Sequence, residues 1–166
     1  MDTKEYFKLL DNSTDEILQF VEGIPNNQLS NKKENGWTVM EILEHICITE
    51  YRIHTLMLKP SDTSSESKEI LGKEKIRHLT VAEGKEKVMA PEALLPKGEV
   101  TDVDAFKKRF QEQRKELKED IENGKLIIDN RTRKHPRLGE MTVSDWLYFL
   151  ISHTERHVEQ IGELVV

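Results

Sequence analysis

The sequence predicts an all-α fold, a four-helix bundle forming one domain over residues 1–166. Three observations carry this prediction. Four long segments repeat apolar residues every three or four positions, two of them open on a capping box, and glycine or proline closes three of them.

The first helix is expected from Thr3 to Glu22, with Phe7, Leu10, Ile17, Phe20 and Val21 at helical spacing and Gly23 and Pro25 as the stop. A polar, turn-like stretch follows to Asn35. The second helix starts at Thr38, where Thr38-Val39-Met40-Glu41 reads as a capping box. Val39, Ile42, Leu43, Ile46, Ile53, Leu56 and Met57 form its stripe, which ends before Pro60.

Residues 61–100 carry less pattern. Ser61 to Ser67 reads as a polar, flexible run. Short helical pieces are expected near Glu69–Arg77 and Ala82–Val88, and Pro91, Pro96 and Gly98 punctuate the rest. The stretch is a crossover within one domain. It is long for a plain loop, which suggests a pocket wall or lid.

The third helix is capped by Thr101 or Asp102 and stops at Gly124. Val103, Phe106, Phe110, Leu117 and Ile121 make its stripe, while its Lys, Arg and Glu residues read as solvated surface. A basic turn with Arg131, Arg133 and Lys134 leads to the fourth helix, Thr142 to about Leu164. Thr142 and Asp145 form its capping-box variant, and Val143, Trp146, Leu147, Leu150, Val158, Ile161 and Leu164 its apolar face.

Composition narrows the function classes. Against 25 basic side chains stand 31 acidic ones, a formal net charge of -6, which argues against a nucleic-acid module. The longest apolar run, Trp146 to Ile151, falls far short of the roughly 20 residues a membrane span needs. MDTKEYFK carries acids early and no apolar leader core, so a cytoplasmic setting is expected. The single cysteine, Cys47, allows no intrachain disulfide and reads as a buried, inert thiol.

Histidine placement is the informative feature. At about 100° per residue, His153 and His157 both fall inside the apolar stripe of the fourth helix, one turn apart on one face. That spacing suits two ligands to one divalent ion. It also suits two core imidazoles, each matched by hydrogen bonds, although burying two on adjacent turns is costly without partners. His45 lies on a flank of the second helix's stripe, from which a side chain can cross a helix seam. Three neutral imidazoles from two helices would leave one coordination position open, as catalytic sites do.

Other candidates are weaker. Glu50 sits amid Leu43, Ile46 and Ile53 as a pocket-lining acid/base or a seam-edge carboxylate. Gln160 is placed to orient His157 or a water. Arg156 is placed to flank an anionic substrate or to face solvent. Glu155 points away from the stripe in H-T-E-R-H, so the zincin arrangement is unsupported. His54, His78 and His135 show no partner in the pattern, and no nucleotide-binding glycine motif is present.

Several stretches resemble the DinB-like superfamily: Trp37-Thr38 leading into Glu44-His45-Ile46, Ala90-Pro91-Glu92, Pro96-Lys97-Gly98, and HPRLGEMTVSDWLYFLISHTERHVEQI from His135 to Ile161. The superfamily includes YfiT-like metal-dependent hydrolases and thiol-dependent S-transferases. The resemblance implies an up-down-down-up bundle with a long crossover between its second and third helices. It implies a divalent metal, zinc or nickel, on His45, His153 and His157, and a His135-Pro136 turn lining the site mouth. It also implies homodimers, and chemistry in which a low-molecular-weight thiol is moved onto an electrophilic small molecule.

The expected function is therefore metal-dependent thiol transfer, with no nucleic-acid or membrane partner. Hydrolysis by a metal-activated water, or a non-enzymatic stress-associated metal-binding bundle, fits the same three histidines.

Overall fold

The computed structural model describes residues 1–82 and 90–166. Helix α1 spans Thr3–Glu22 and is capped by Asp2, whose carboxylate accepts from Lys4 N at 2.9 Å. Helix α2 spans Val39–Met57, and its capping box closes in both directions. Thr38 Oγ1 accepts from Glu41 N at 3.1 Å, and Glu41 Oε1 accepts from Thr38 N at 3.0 Å. A five-residue α3, Lys73–Arg77, runs into a π-helical turn at His78–Ala82. The helical piece expected at Ala82–Val88 lies, beyond Ala82, outside the described residues.

Helix α4 spans Val103–Glu122 and takes its cap from Asp102, which accepts from Ala105 N at 2.7 Å. Helix α5 spans Val143–Gly162 and carries the second capping box, between Thr142 and Asp145. No helix among the described residues is long and apolar enough to cross a membrane.

Two loop expectations are corrected. The basic turn before α5 is a β-hairpin, β1 (Thr132–His135) pairing antiparallel with β2 (Gly139–Thr142). Gly139 adopts φ 79°, a left-handed conformation that glycine supplies without strain. The Ser61–Ser67 run is pinned to this hairpin rather than loose. Ser65 N donates to Asn130 O at 2.9 Å, Thr132 N to Thr63 O at 3.0 Å, and Thr132 Oγ1 to Thr63 Oγ1 at 2.7 Å. Hydroxyls and backbone amides hold the segment, where an apolar pattern would have given it away.

Helices α1 and α2 each pack on both α4 and α5. Their apolar stripes build two clusters. One gathers Tyr6, Leu10, Ile53, Met57, Leu117, Leu147 and Leu150; the other gathers Ile17, Val21, Ile42, Leu43, Ile46, Phe106, Phe110 and Ile161. Between them lies a polar layer to which every long helix contributes. Arg114 of α4 donates to Glu50 of α2 through Nε at 2.8 Å and Nη2 at 2.6 Å, and to Thr14 of α1 at 3.1 Å. Thr154 of α5 donates to the same Glu50 carboxylate at 2.6 Å. Arg114 and Glu50 are both buried, so a surface role for this α4 arginine does not hold.

Candidate metal centre

His45 projects from α2 and His153 and His157 from α5, and these two helices pack on one another. His153 Nε2 stands 3.2 Å from His45 Nε2 and 3.1 Å from His157 Nε2. One ring nitrogen from each residue lies within 4.8 Å of the other two, an arrangement that can hold a metal ion. Imidazole nitrogens at about 2.0–2.1 Å from a tetrahedral zinc are about 3.3–3.4 Å apart, close to the two separations that His153 makes.

The rings are oriented from behind. His45 Nδ1 donates to the Leu94 carbonyl at 2.7 Å, and His157 Nδ1 donates to Gln160 Oε1 at 2.6 Å. With the proton on Nδ1, each ring turns a lone pair on Nε2 toward the centre. Without a cation, one proton on His153 Nε2 would have to serve two acceptors. With one, all three lone pairs are used, so the donor set fits a divalent ion. His153 Nδ1 is buried without a hydrogen-bond partner among the described residues, the one polar atom of the three rings left so.

Burial, ahead of repulsion by neighbouring cationic groups, holds all three rings below the ordinary histidine range. His157 is pushed down to about 3 and His153 well below its usual value, while His45 is lowered against a raising bond from Leu94. The rings are therefore neutral at pH 7, the form that ligates metals.

The cluster opens into a cavity of about 630 Å³, within the range of small-molecule sites. Trp37, Leu94, Leu138, Trp146 and Phe149 supply apolar wall, and Arg52, Arg133, Lys134, Arg137 and Arg156 supply positive charge. No acidic side chain lines it among the described residues. The Trp37 ring lies 4.8 Å from the His45 ring.

The crossover does form a wall, and buried carboxylates on the ligand-bearing helices fix it. Glu44, beside His45, accepts from the backbone N–H groups of Lys97 and, at 3.0 Å, Val100. Asp145 accepts from Ile70 N and Gly72 N at 2.9 Å and from Leu71 N at 3.3 Å, besides capping α5. Composition gave no hint of either clamp, because their partners are main-chain amides.

The remaining candidates separate. Gln160 sits behind His157 and Arg156 lines the cavity. Glu50 is turned into the polar layer, engaged by Arg114 and Thr154, and does not line the cavity. Glu155 points outward to Arg77, with Arg77 Nε donating at 3.0 Å. His54 has a partner the pattern missed, Asp120 at 2.7 Å. His135 lines the cavity. Cys47 is fully buried and its thiol is pushed up to about 12, chiefly by burial.

A sequence profile described as the DinB superfamily matches residues 9–161. The Bacillus subtilis (strain 168) protein YuaE, described as uncharacterized, is 27% identical over 146 residues, covering 87% of each chain. The profile spans the His45 helix, the crossover and the His153/His157 helix together, and by that match the chain belongs to the DinB superfamily.

Proposed function

We propose that the protein is a divalent-metal-dependent transferase that joins a low-molecular-weight thiol to an electrophilic small molecule. The supporting observation is the convergence of three neutral imidazoles on one point at the floor of a large, partly apolar cavity. Family membership points the same way, and the four long helices suit the up-down-down-up bundle of that family. When bound, a zinc or nickel ion supplies Lewis acidity that lowers the pKa of a coordinated thiol or water.

The chain's own residues supply the rest. Leu94 and Gln160 hold two ligand rings in the ligating tautomer. The aromatic wall shields the reacting groups from water, and the cationic rim favours an anionic partner over a cationic one. The thiol is a co-substrate, because Cys47 is sealed in the core with its thiol held protonated at neutral pH.

The test is elemental analysis of untagged protein followed by conjugation assays, with small thiols and electrophiles, on wild type and His157→Ala. About one ion per chain and a rate at least tenfold lower in the variant are expected. Equal rates would remove the ion from the reaction. Ester or amide cleavage without added thiol would replace transfer by hydrolysis. An ion that raises the melting temperature with no turnover in either assay would leave a structural metal site.

A further inference from the structure

His135 opens the hairpin turn and lines the cavity wall. Its ring is held in one tautomer. Arg137 N and Leu138 N both donate to its Nδ1, each at 3.1 Å. A backbone N–H can only donate, so Nδ1 presents its lone pair and the proton of the neutral ring sits on Nε2.

Two aromatic rings fix the imidazole's attitude. Phe149 meets it edge to face at 4.6 Å between centroids, and Trp146 lies at 5.3 Å. Nε2 has no hydrogen-bond partner among the described residues, and the ring lines the cavity. Protonating the ring would set a new N–H against two amide N–H groups. Burial, and then the Arg137 guanidinium, act in the same direction and hold the group down to about 4. His135 is therefore a neutral, oriented donor at pH 7. It is no general base, because its one lone pair is already taken.

Among the described residues, the charged side chains that line the cavity have one sign. Arg137 belongs to the same turn, and Arg156 lines the cavity from α5. Both guanidinium groups line the same cavity. Arg133 and Lys134 continue the positive face in a protein whose net charge is -6.

We infer that the hairpin side of the cavity is an oxyanion subsite, in which His135 Nε2–H donates to a carboxylate or phosphate oxygen of the small-molecule substrate while Arg137 and Arg156 supply the attracting field. This rests on reading the same cavity as the metal-dependent site, and it names the substrate class as anion-bearing. A neutral, fixed donor adds orientation to the affinity that the arginines give, since its geometry does not adapt to a misplaced oxygen.

The experiment is isothermal titration of succinate, inorganic phosphate and uncharged dimethyl succinate into untagged protein, zinc-loaded and EDTA-treated. At least one of the two anions should bind, and the diester should not. Whichever anion binds more tightly distinguishes a carboxylate from a phosphate source. His135→Leu should weaken that anion about tenfold or more at unchanged zinc content, and His135→Gln, which keeps an N–H donor, should recover part of the loss. Ring 15N spectra of wild type should show the Nε2–H tautomer between pH 5 and 8. An Nδ1–H tautomer, equal anion affinity in His135→Leu, or binding of neither anion would overturn the subsite. Zinc binding without anion binding would sink the subsite alone. Anion binding in a protein that takes up no metal would sink the metal reading alone.

Discussion

Glu50 and Arg114 meet as a two-pronged ion pair, at 2.6 and 2.8 Å, and each side chain is only 3% exposed. The pair joins α2, which carries His45, to α4, and Thr154 joins it to α5 beside His153. Removing one partner strands a buried charge. Arg114→Met is expected to destabilise the fold by about 3–5 kcal/mol, measured by urea unfolding. Glu50→Leu combined with Arg114→Met should recover much of that loss. A single variant within about 0.5 kcal/mol of wild type would show that the layer contributes little.

Metal removal has a thermal readout that does not depend on the reaction. An ion that binds only the folded chain, supplied at 100 times its dissociation constant, adds about 2.7 kcal/mol. For a domain of this size that raises the melting temperature by roughly 5–10 °C. Zinc added to metal-free protein should give this rise at about one ion per chain, and His153→Gln should abolish it. An equal rise in the variant would place the ion elsewhere.

Acid should weaken the metal-free protein. His157 and His135 are lowered from the usual 6.5 to about 3 and about 4. As pH falls, the unfolded chain takes up these protons before the folded one. The associated stability is whole above about pH 6.5 and drains as pH drops toward the folded values. For His157 the slope is at most about 1.4 kcal/mol per pH unit. Urea midpoints at pH 7.5, 6 and 5 should fall in that order, with a shallower fall in His157→Gln. A pH-independent midpoint would contradict the burial of these rings.

Asp145 accepts from four backbone amides, those of Ile70, Leu71, Gly72 and Thr142. Asp145→Ala removes the reciprocal half of the α5 capping box and the crossover anchor together, and a loss of about 3 kcal/mol or more is expected. Hydrogen exchange separates the two effects. Amides 70–72 should exchange at least tenfold faster in the variant, relative to α1 amides. Uniform acceleration across the chain would mean that the anchor has no local role.

The helices and the histidine cluster were legible because repeats, caps and chemistry all leave marks in residue type. The ends of α1, the Thr38 and Thr142 caps, and the i,i+4 histidines could each be read directly. The polar layer left a mark that was harder to see. The stripes of α2 and α4 each step seven positions at once, from Ile46 to Ile53 and from Phe110 to Leu117, and Glu50 and Arg114 fill the skipped turn of each. Opposite charges in matching gaps are a pairing signal. The hairpin left little, since T-R-K-H and G-E-M-T carry one large apolar residue between them. Its turn is closed by an imidazole, and the Ser61–Ser67 segment by hydroxyls and amides, neither of which has a hydropathy signature.

The clamps of Glu44 and Asp145 reach main-chain N–H groups, which every residue except proline offers. At the clamped positions of the strap they hold, the bonds are thus made whatever side chain is present. Descendants of this scaffold can rewrite that surface to admit new molecules while the imidazole cup beneath stays untouched, so retooling of selectivity should concentrate there.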